Sequence, residues 1–348
     1  MNKTNCRERL RRIQSNPSLE DLLYFIDSAN QAELELMYRS ADELRREKVG
    51  DQVYLRAILE ISNYCRRACL YCGINCRSAN LERYRIGIDE IIDLSAKIFE
   101  KGYRTLVIQS GEDPYYTAEL VEEMIRGIQQ AAPGMAVTLA LGEREESTFA
   151  RWRAAGADRY LLKHETSDPR LYAELNPSMH LEERLTCLRN LKKLGFQTGS
   201  GVMIGLPGQT TTSLARDILL FKELGMDMVG AGPYVELPGF PADWSPERRE
   251  DLTYRLLALN RLVLGDVHLP ATTALSTLAE DQARLLALQR GANVIMPNET
   301  PFRYRSLYSI YPNKKRTEAA SDTSFLEELS KSLAGIGRSV SFARGDHF

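Results

Sequence analysis

Short apolar segments alternate with helix-like segments along most of this 348-residue chain. The apolar segments suit β-strands that are buried on both faces of a sheet. The segments between them repeat apolar residues at the spacing of an amphipathic helix. Eight alternations predict an α/β fold, a (β/α)8 TIM barrel, with an open doubly wound sheet as the alternative that periodicity leaves open. The predicted strands are Tyr54–Ile61, Thr105–Gln109, Ala136–Leu141, Arg159–Lys163, Gly201–Gly205, Met228–Ala231, Leu269–Ala274 and Asn293–Met296.

Helical segments lie between and around these strands. The pattern of residues 19–48 is typical of two amphipathic helices. The residues after about 315 are typical of a polar tail that contains one helix, Phe325–Leu333. We therefore expect an N-terminal helical extension over residues 1–50, a barrel over 51–315, and a C-terminal helix and tail over 316–348, in one structural domain. The predicted barrel helices include Ile88–Glu100, Ala118–Ala131, Leu181–Leu194, Thr212–Leu224, Pro246–Leu264 and Glu280–Gln289.

Composition narrows the class of protein. A net charge of −2 gives no reason to expect nucleic acid or an anionic membrane as a partner. No apolar run approaches the roughly 20 residues of a membrane span, and the first residues have no apolar signal core. Four of the six cysteines lie within twelve residues, which is not a disulfide framework for a chain of this size. We expect a reducing, cytoplasmic location.

Three of these cysteines, Cys65, Cys69 and Cys72, form the pattern C-x3-C-x2-C. Three thiolates hold only three irons of a [4Fe–4S] cube, which four cysteines normally bind. The fourth iron then keeps an open position, the mark of a catalytic metal site. A zinc knuckle would require a second ligand pair, which the chain lacks. Cys76 could complete a ferredoxin-like set of four, although the first spacing differs from the bacterial run and no proline follows.

Polar residues follow the predicted strand ends. The cysteine loop follows the first predicted strand, and Gln109–Asp113 follows the second. Gly142-Glu143 follows the third strand and His164–Thr166 follows the fourth. Thr272-Thr273 lies within the seventh strand. The carboxyl ends of barrel strands meet at the mouth that carries the active site. The sequence therefore predicts a site there.

The cysteine loop, with Tyr71 before its third cysteine, resembles the radical S-adenosylmethionine (SAM) superfamily. Further motifs over about residues 40–312 resemble the HydE family, the radical SAM maturases of [FeFe]-hydrogenase, which are related to biotin synthase and methylornithine synthase. These motifs are Arg83–Arg85, Gln109–Tyr116, Gly156–Leu162, His164–Thr166, Gly205–Thr210, Pro270–Ala274 and Gly291–Asn298.

This resemblance implies a complete (β/α)8 barrel, two cofactors and a set of site residues. Cys65, Cys69 and Cys72 would hold a [4Fe–4S] cluster whose electron cleaves SAM to a 5′-deoxyadenosyl radical. The residues implied to bind SAM are Tyr71 along the adenine, Ser110, Gly111 and Glu112 at the amino group, and Glu165 and Arg184 at the ribose and carboxylate. The residues implied to line a substrate cavity, as an anion site, are Thr138, Arg159, Met228, Thr272, Thr273 and Tyr308.

Several of these residues have plainer interpretations. Without the resemblance, Arg184 is an ordinary surface charge of a helix, and Thr272-Thr273 reflects the preference of threonine for strands. For Arg159 the plainer interpretation is a structural salt bridge at the barrel floor. Glu165 is different, because a charge that ends an apolar strand is costly without a partner.

The implied substrate is an organometallic iron–cysteine precursor carrying CO and cyanide, supplied by another hydrogenase maturase, and a reducing electron donor is required. The chain departs from the family at Asn75-Cys76, at Pro233–Pro241 and at Leu275–Leu278, and its C-terminal region has no cysteine for a second cluster. Two alternatives therefore stay open. One is an enzyme acting on a small amino acid or thioether, as methylornithine synthase does, and the other is a non-catalytic iron–sulfur carrier or scaffold. We expect a monomer or a weak association.

Overall fold

Parallel strands form the framework of the computed structural model, which describes residues 3–279, 282–312 and 323–347. Within these ranges the strands are β1 Gln52–Leu55, β2 Ala57–Ser62, β3 Thr105–Ser110, β4 Ala136–Ala140, β5 Arg159–Leu161, β6 Gln197–Ile204, β7 Met228–Pro233, β8 Val294–Ile295 and β9 Ser339–Ser341.

The strands close into a ring. Strands β2 to β7 pair in parallel in chain order, and β1, which continues into β2, pairs in parallel with β8. The segment 268–270 fills the gap between β7 and β8 through the bridges Met228–His268 and Pro270–Val294. A further bridge from Ile58 to Asn298 ties the end of the ring back to β2. The predicted eight-position barrel is confirmed.

Helices cover the outside of this ring. The helices are α1 Lys3–Ser15, α2 Leu19–Leu23, α3 Gln31–Val49, α4 Ile88–Glu100, α5 Ala118–Ala131, α6 Glu146–Ala155, α7 Pro169–Leu175, α8 Leu181–Lys193, α9 Thr211–Glu223, α10 Pro246–Leu264, α11 Thr273–Leu278, α12 Gln282–Leu288, α13 Phe302–Arg305 and α14 Thr323–Ala334, with a π-helical turn at Tyr24–Ser28. None of the helices in the described ranges is long and apolar enough to cross a membrane.

Two predicted strands need correction. The strand predicted over Leu269–Ala274 is reduced to isolated bridges at His268 and Pro270. Thr272 instead caps α11, because its hydroxyl accepts the N–H of Leu275 at 3.4 Å, and Thr273 begins that helix. The strand predicted over Tyr54–Ile61 is interrupted at Arg56.

Two predictions touch residues that the structure does not describe. The helix predicted over Glu280–Gln289 begins outside the described residues, and α12 accounts for the rest of it. The polar stretch 318–322 also lies outside them. The predicted helix Phe325–Leu333 lies within α14 and is confirmed.

A segment after β9 closes the end of the barrel opposite to the cysteines. Strand β9 pairs in parallel with β1, and residues Ala343–His347, here called the floor segment, then contact the amino-terminal ends of the barrel strands. The two ends of the barrel therefore differ, with polar loops at one end and this segment at the other.

Candidate active site

The predicted cluster ligands lie in the loop after β2, at the mouth of the barrel. Cys65, Cys69 and Cys72 are free thiols of intermediate exposure. Arg83 fixes this loop, because its guanidinium donates to four backbone carbonyls, those of Asn63, Ile74, Asn75 and Ser78. The side-chain amide of Asn75 donates to the carbonyl of Cys72 at 2.6 Å. The positions of the thiols are thus held by bonds to the backbone on either side of the three cysteines.

The surroundings of the sulfurs fit an iron–sulfur cluster. The backbone N–H groups of Arg67 and Glu112 donate to Cys65 Sγ at 3.4 and 3.3 Å, and hydrogen bonds to sulfur tune such clusters. Burial raises the pKa of Cys69 to about 11 and the pKa of Cys72 to about 12, so binding a metal centre must displace their protons. Cys76 shares the loop but is exposed.

A single metal ion has no comparable site. Across the described ranges, no three His, Cys, Asp or Glu side chains gather closely enough to hold one ion. A cluster differs from a single ion in this respect, because each thiolate binds its own iron.

Gly111 allows the loop after β3 to touch the cysteine loop. A Cβ atom at this position would lie 2.2 Å from the carbonyl oxygen of Tyr64 and 2.7 Å from Cys65 Cβ. The Gly111 N–H donates to the carbonyl of Ser62 at 3.1 Å. The predicted SAM-binding segment 110–112 therefore lies directly against the first cluster ligand.

A network of charged side chains lies beside this contact. Glu112 pairs with Arg66 at 2.6 Å and with Arg67 at 2.8 Å, and its other oxygen accepts the N–H of Glu143 at 3.1 Å. Glu143 in turn pairs with Arg67 at 2.7 Å and with Arg184 at 2.6 Å. Burial alone would raise the pKa of Glu112, but the bonds from Arg67 and Arg66 outweigh it and lower this pKa. The carboxylate of Glu112 is thus ionised and already engaged.

Arg184 is part of this network and not an ordinary surface charge. Its side chain is 13% exposed, and its guanidinium also donates to the carbonyl of Lys163 at 3.0 Å. Helix α8 therefore directs this guanidinium to the end of β5, next to Glu165.

Glu165 has an unusual backbone and an unsatisfied side chain. Its φ is 65°, in the left-handed region that side chains rarely adopt, which costs about 1–3 kcal/mol. Its Oε2 is shielded from solvent and has no hydrogen-bond partner among the described residues. Burial raises the pKa of Glu165, although the charges of Lys163 and Arg184 oppose this. Strain and an unpaired buried acceptor together indicate a ligand-binding position.

Tyr71 lies beside a small apolar cluster. Its hydroxyl donates to Asn176 Oδ1 at 2.7 Å, which leaves the ring to pack against apolar neighbours. This cluster consists of Leu171, Leu175, Leu206 and Tyr234, with Tyr71, Met203, Phe240 and Ala242 around it. An apolar wall next to the cysteine loop suits a flat aromatic group such as a purine.

An interior cavity of about 220 Å³ lies within the barrel. Four of the residues predicted to line it do so, namely Thr138, Met228, Thr272 and Thr273. The hydroxyl of Thr138 is buried without a hydrogen-bond partner among the described residues, so it is available to a ligand. The structure brings these four side chains together from two strands, β4 and β7, and the start of α11.

Two predicted cavity residues lie elsewhere. Tyr308 is behind the cavity, where its hydroxyl accepts from Gln109, which itself lines the cavity, at 3.2 Å. Arg159 opens β5 and so points to the floor, where it bonds to Asp346 at 2.7 Å, to Gln197 at 3.0 Å and to Thr105 at 3.1 Å. It also binds carbonyls of the floor segment. The predicted convergence of Arg159 on this cavity does not occur, and the salt-bridge interpretation describes its contacts.

Sequence reasoning missed two other cations that do line the cavity. Arg56 is 4% exposed and donates to Met228 Sδ at 3.0 Å and to the carbonyl of Gly345 at 3.1 Å, while its Nε has no partner among the described residues. Burial, followed by the charge of Arg159, lowers the pKa of Arg56. Lys163 also lines the cavity, and its ammonium group forms no hydrogen bond or salt bridge with the described residues. The break in the apolar strand at Arg56 was the signal that could have identified it.

The sequence matches a known family model and a curated relative. The model of the radical SAM superfamily matches residues 59–221. The [FeFe] hydrogenase maturase subunit HydE of Thermotoga maritima is 47% identical over 282 residues, which cover 80% of each protein. The chain belongs to the HydE family. This HydE-family chain is therefore a radical SAM enzyme that uses a [4Fe–4S] cluster and SAM, as its cysteine pattern predicted.

Two solved structures agree with the fold. HydG from Carboxydothermus hydrogenoformans, a maturase of FeFe-hydrogenase, has a TM-score of 0.80 at 20% identity and covers 98% of this chain and 80% of its own. Methylornithine synthase (PylB) has a TM-score of 0.77 at 20% identity and covers 96% of this chain and 97% of its own. These likenesses support the barrel and say nothing further about the substrate.

Proposed function

We propose that this HydE-family enzyme acts in the maturation of the [FeFe]-hydrogenase active site, on an organometallic iron–cysteine precursor supplied by a partner maturase. The observation that carries this proposal is the cavity with two cations, Arg56 and Lys163, that form no salt bridge with the described residues. A small ligand with anionic groups would compensate both charges. Cyanide and carboxylate groups have that character.

The proposed cofactor site uses the residues at the mouth. Cys65, Cys69 and Cys72 would hold the cluster, and a reduced [4Fe–4S] cluster supplies the electron that splits SAM into methionine and a 5′-deoxyadenosyl radical. The unpaired Oε2 of Glu165 would accept from the ribose hydroxyls. Arg184 would bind the SAM carboxylate, and Tyr71 would lie along the adenine.

The proposed role of the segment Ser110–Glu112 is limited by its contacts. Because Arg66, Arg67 and the N–H of Glu143 already occupy the Glu112 carboxylate, this side chain is not the acceptor for the SAM amino group. We assign this contact to the main chain of the segment, which Gly111 brings against the cysteine loop.

The cofactor site and the cavity share one strand end. Lys163 lines the cavity, its carbonyl accepts from Arg184, and Glu165 follows two residues later. The aliphatic part of the Lys163 side chain runs past Gly201 and Gly230. A Cβ atom at these two glycines would lie 3.2 and 3.8 Å from carbons of this lysine. The residues that would bind SAM and those that would hold the substrate therefore meet at this strand end.

A small amino acid is the second candidate substrate. Glu60 also lines the cavity, and its Oε2 accepts from Asn298 at 2.9 Å. A carboxylate in the same cavity as Arg56 and Lys163 gives the lining both signs of charge, which suits a zwitterionic ligand.

The test compares the two substrates in the reconstituted enzyme with SAM and dithionite. We expect an iron–cysteine complex carrying CO and cyanide to increase 5′-deoxyadenosine formation and to support maturation of apo-hydrogenase, and lysine to do neither. Stimulation by lysine alone, with a rearranged amino-acid product, would contradict the maturation role and support the second candidate.

A matched pair of variants tests the cavity. Lys163→Met should raise the KM for the complex about 10- to 100-fold, the value of one charge-assisted hydrogen bond. Lys163→Arg keeps the charge and should restore most of the affinity. Uncoupled SAM cleavage should change little in both, and an unaltered KM in Lys163→Met would remove Lys163 from the substrate site.

A further inference from the structure

Glu165 lies in a strained turn that local sequence does not favour. The N–H of Thr166 donates to the carbonyl of His164 at 2.8 Å, which closes a three-residue turn around Glu165. With φ at 65° for the central residue, this is the rare γ-turn that is strained in L-amino acids. Such a conformation persists only where the surrounding structure enforces it.

A buried pair of side chains encloses this turn. The ring of His164 lies between two oxygens, with Nδ1 2.9 Å from Ser200 Oγ and Nε2 3.4 Å from Asp217 Oδ1. The same Asp217 oxygen accepts the N–H of Ser167 at 2.6 Å. Asp217 therefore contacts both sides of the turn, the residue before Glu165 and the residue two positions after it.

The surroundings make this arrangement rigid. His164, Ser200 and Asp217 are all fully buried. The imidazole also packs against Phe221, one turn after Asp217 on α9, with ring centroids 5.1 Å apart. The turn is thus tied to β6 through Ser200 and to α9 through Asp217.

A serine, a histidine and an aspartate in contact can also form a nucleophilic triad. The contacts of Ser200 argue against that role. Its hydroxyl donates to the carbonyl of Leu162 at 3.0 Å, and it has no exposed surface. A substrate carbonyl could not reach this oxygen, so the group has a different role.

We propose that Asp217 and His164 are positioning residues that hold the strained turn and thereby direct Glu165 to the ribose of SAM. This inference rests on the proposed role of Glu165 in SAM binding. The strained conformation is needed because a relaxed turn would rotate the side chain of Glu165 away from the mouth of the barrel. Both positioning residues are fully buried, so they would act on SAM only through Glu165.

A double-mutant cycle tests the proposal, with the SAM dissociation constant measured by equilibrium dialysis on the cluster-reconstituted protein. Asp217→Ala should weaken SAM binding about tenfold when Glu165 is present. In the Glu165→Gln background the same substitution should have little further effect, since the side chain that it positions has already been altered. Asp217→Asn keeps an oxygen for the Ser167 N–H and should recover part of the affinity.

The outcomes separate this inference from the function on which it rests. Equal weakening by Asp217→Ala in both backgrounds would mean general loosening of the site and would overturn the inference. An unchanged dissociation constant in Glu165→Gln itself would instead remove Glu165 from SAM binding, and the positioning role would fall with it. If Asp217→Ala does not fold, Asp217→Asn and His164→Gln carry the same cycle with the same criteria.

Discussion

Cys69 and Cys76 lie in the same loop, but they differ in burial. Burial raises the pKa of Cys69 to about 11, whereas Cys76 is exposed to solvent. Cys65→Ala, Cys69→Ala or Cys72→Ala should abolish the cluster, because two thiolates remain where three are required. Cys76→Ala, the matched control, should keep full iron and sulfide content and SAM cleavage. Loss of the cluster in Cys76→Ala would support the four-cysteine alternative.

Single residues were predictable where their neighbours in sequence define them. The three cysteines follow from spacing alone, and Glu165 was notable as a charge after an apolar strand. Arg159 was assigned to the cavity although it opens its strand, and the first residue of a barrel strand faces the floor. The contact between His164 and Asp217 could not be foreseen, because it joins a residue of the loop after β5 to a residue of α9, which only the barrel brings together.

The loop after β3 contacts the cysteine loop at Gly111, and one added side-chain atom there would disturb this contact. Gly111→Ala would place a methyl group 2.2 Å from a backbone carbonyl, which cannot rotate away. We expect a loss of about 1–3 kcal/mol in unfolding free energy and a reduced cluster content, because the cysteine loop must shift. Gly87→Ala is the control, since a Cβ there meets nothing within 4 Å. Equal cluster content in both variants would show that the loops do not need this close contact.

Elements with clear end signals were predicted with the correct bounds. Helix α10 begins after Ser245, whose hydroxyl accepts the N–H of Arg248 at 3.3 Å, and ends at Gly265 with φ 74°. The seventh strand was predicted too long because threonine suits both strands and helix N-caps. Sequence periodicity cannot choose between these roles, and in this barrel the capping hydrogen bond of Thr272 decides.

The barrel as a whole depends on the floor segment for closure at one end. Arg159→Met would remove one guanidinium from Asp346, which keeps Arg344 at 2.9 Å, and from two backbone carbonyls of the floor segment. We expect the free energy of unfolding to fall by about 3 kcal/mol, near the lower limit for a broken buried pair, because Asp346 keeps contact with solvent. The KM of the folded enzyme for its substrate should stay unchanged, in contrast to Lys163→Met. If Arg159→Met lost substrate turnover while its free energy of unfolding stayed unchanged, Arg159 would belong to the substrate site.

The floor segment should also make the stability of the molecule depend on pH. His347 lies between two carboxylates, with Nδ1 3.0 Å from Asp227 and Nε2 3.1 Å from Asp266. The hydrogen bond to Asp227 and the nearby carboxylate of Asp266 raise the pKa of His347, while burial opposes them. A raised pKa in the folded state means that folding favours the protonated ring. The resulting stabilisation is complete below the unfolded pKa of about 6.5 and is lost as pH rises through the higher folded value.

His347→Gln removes this charge and keeps a hydrogen-bonding side chain of similar reach. At about pH 5.5 the variant should unfold with a free energy about 1.5–3 kcal/mol smaller than that of the natural chain, the value of a charge-assisted hydrogen bond. The difference should shrink as pH rises above neutrality, since the natural imidazole then loses its proton. Urea unfolding of both chains across this pH range measures the difference directly. A gap that stays constant with pH would mean that His347 acts through packing alone, and a gap that widens with pH would contradict the direction of the pKa shift.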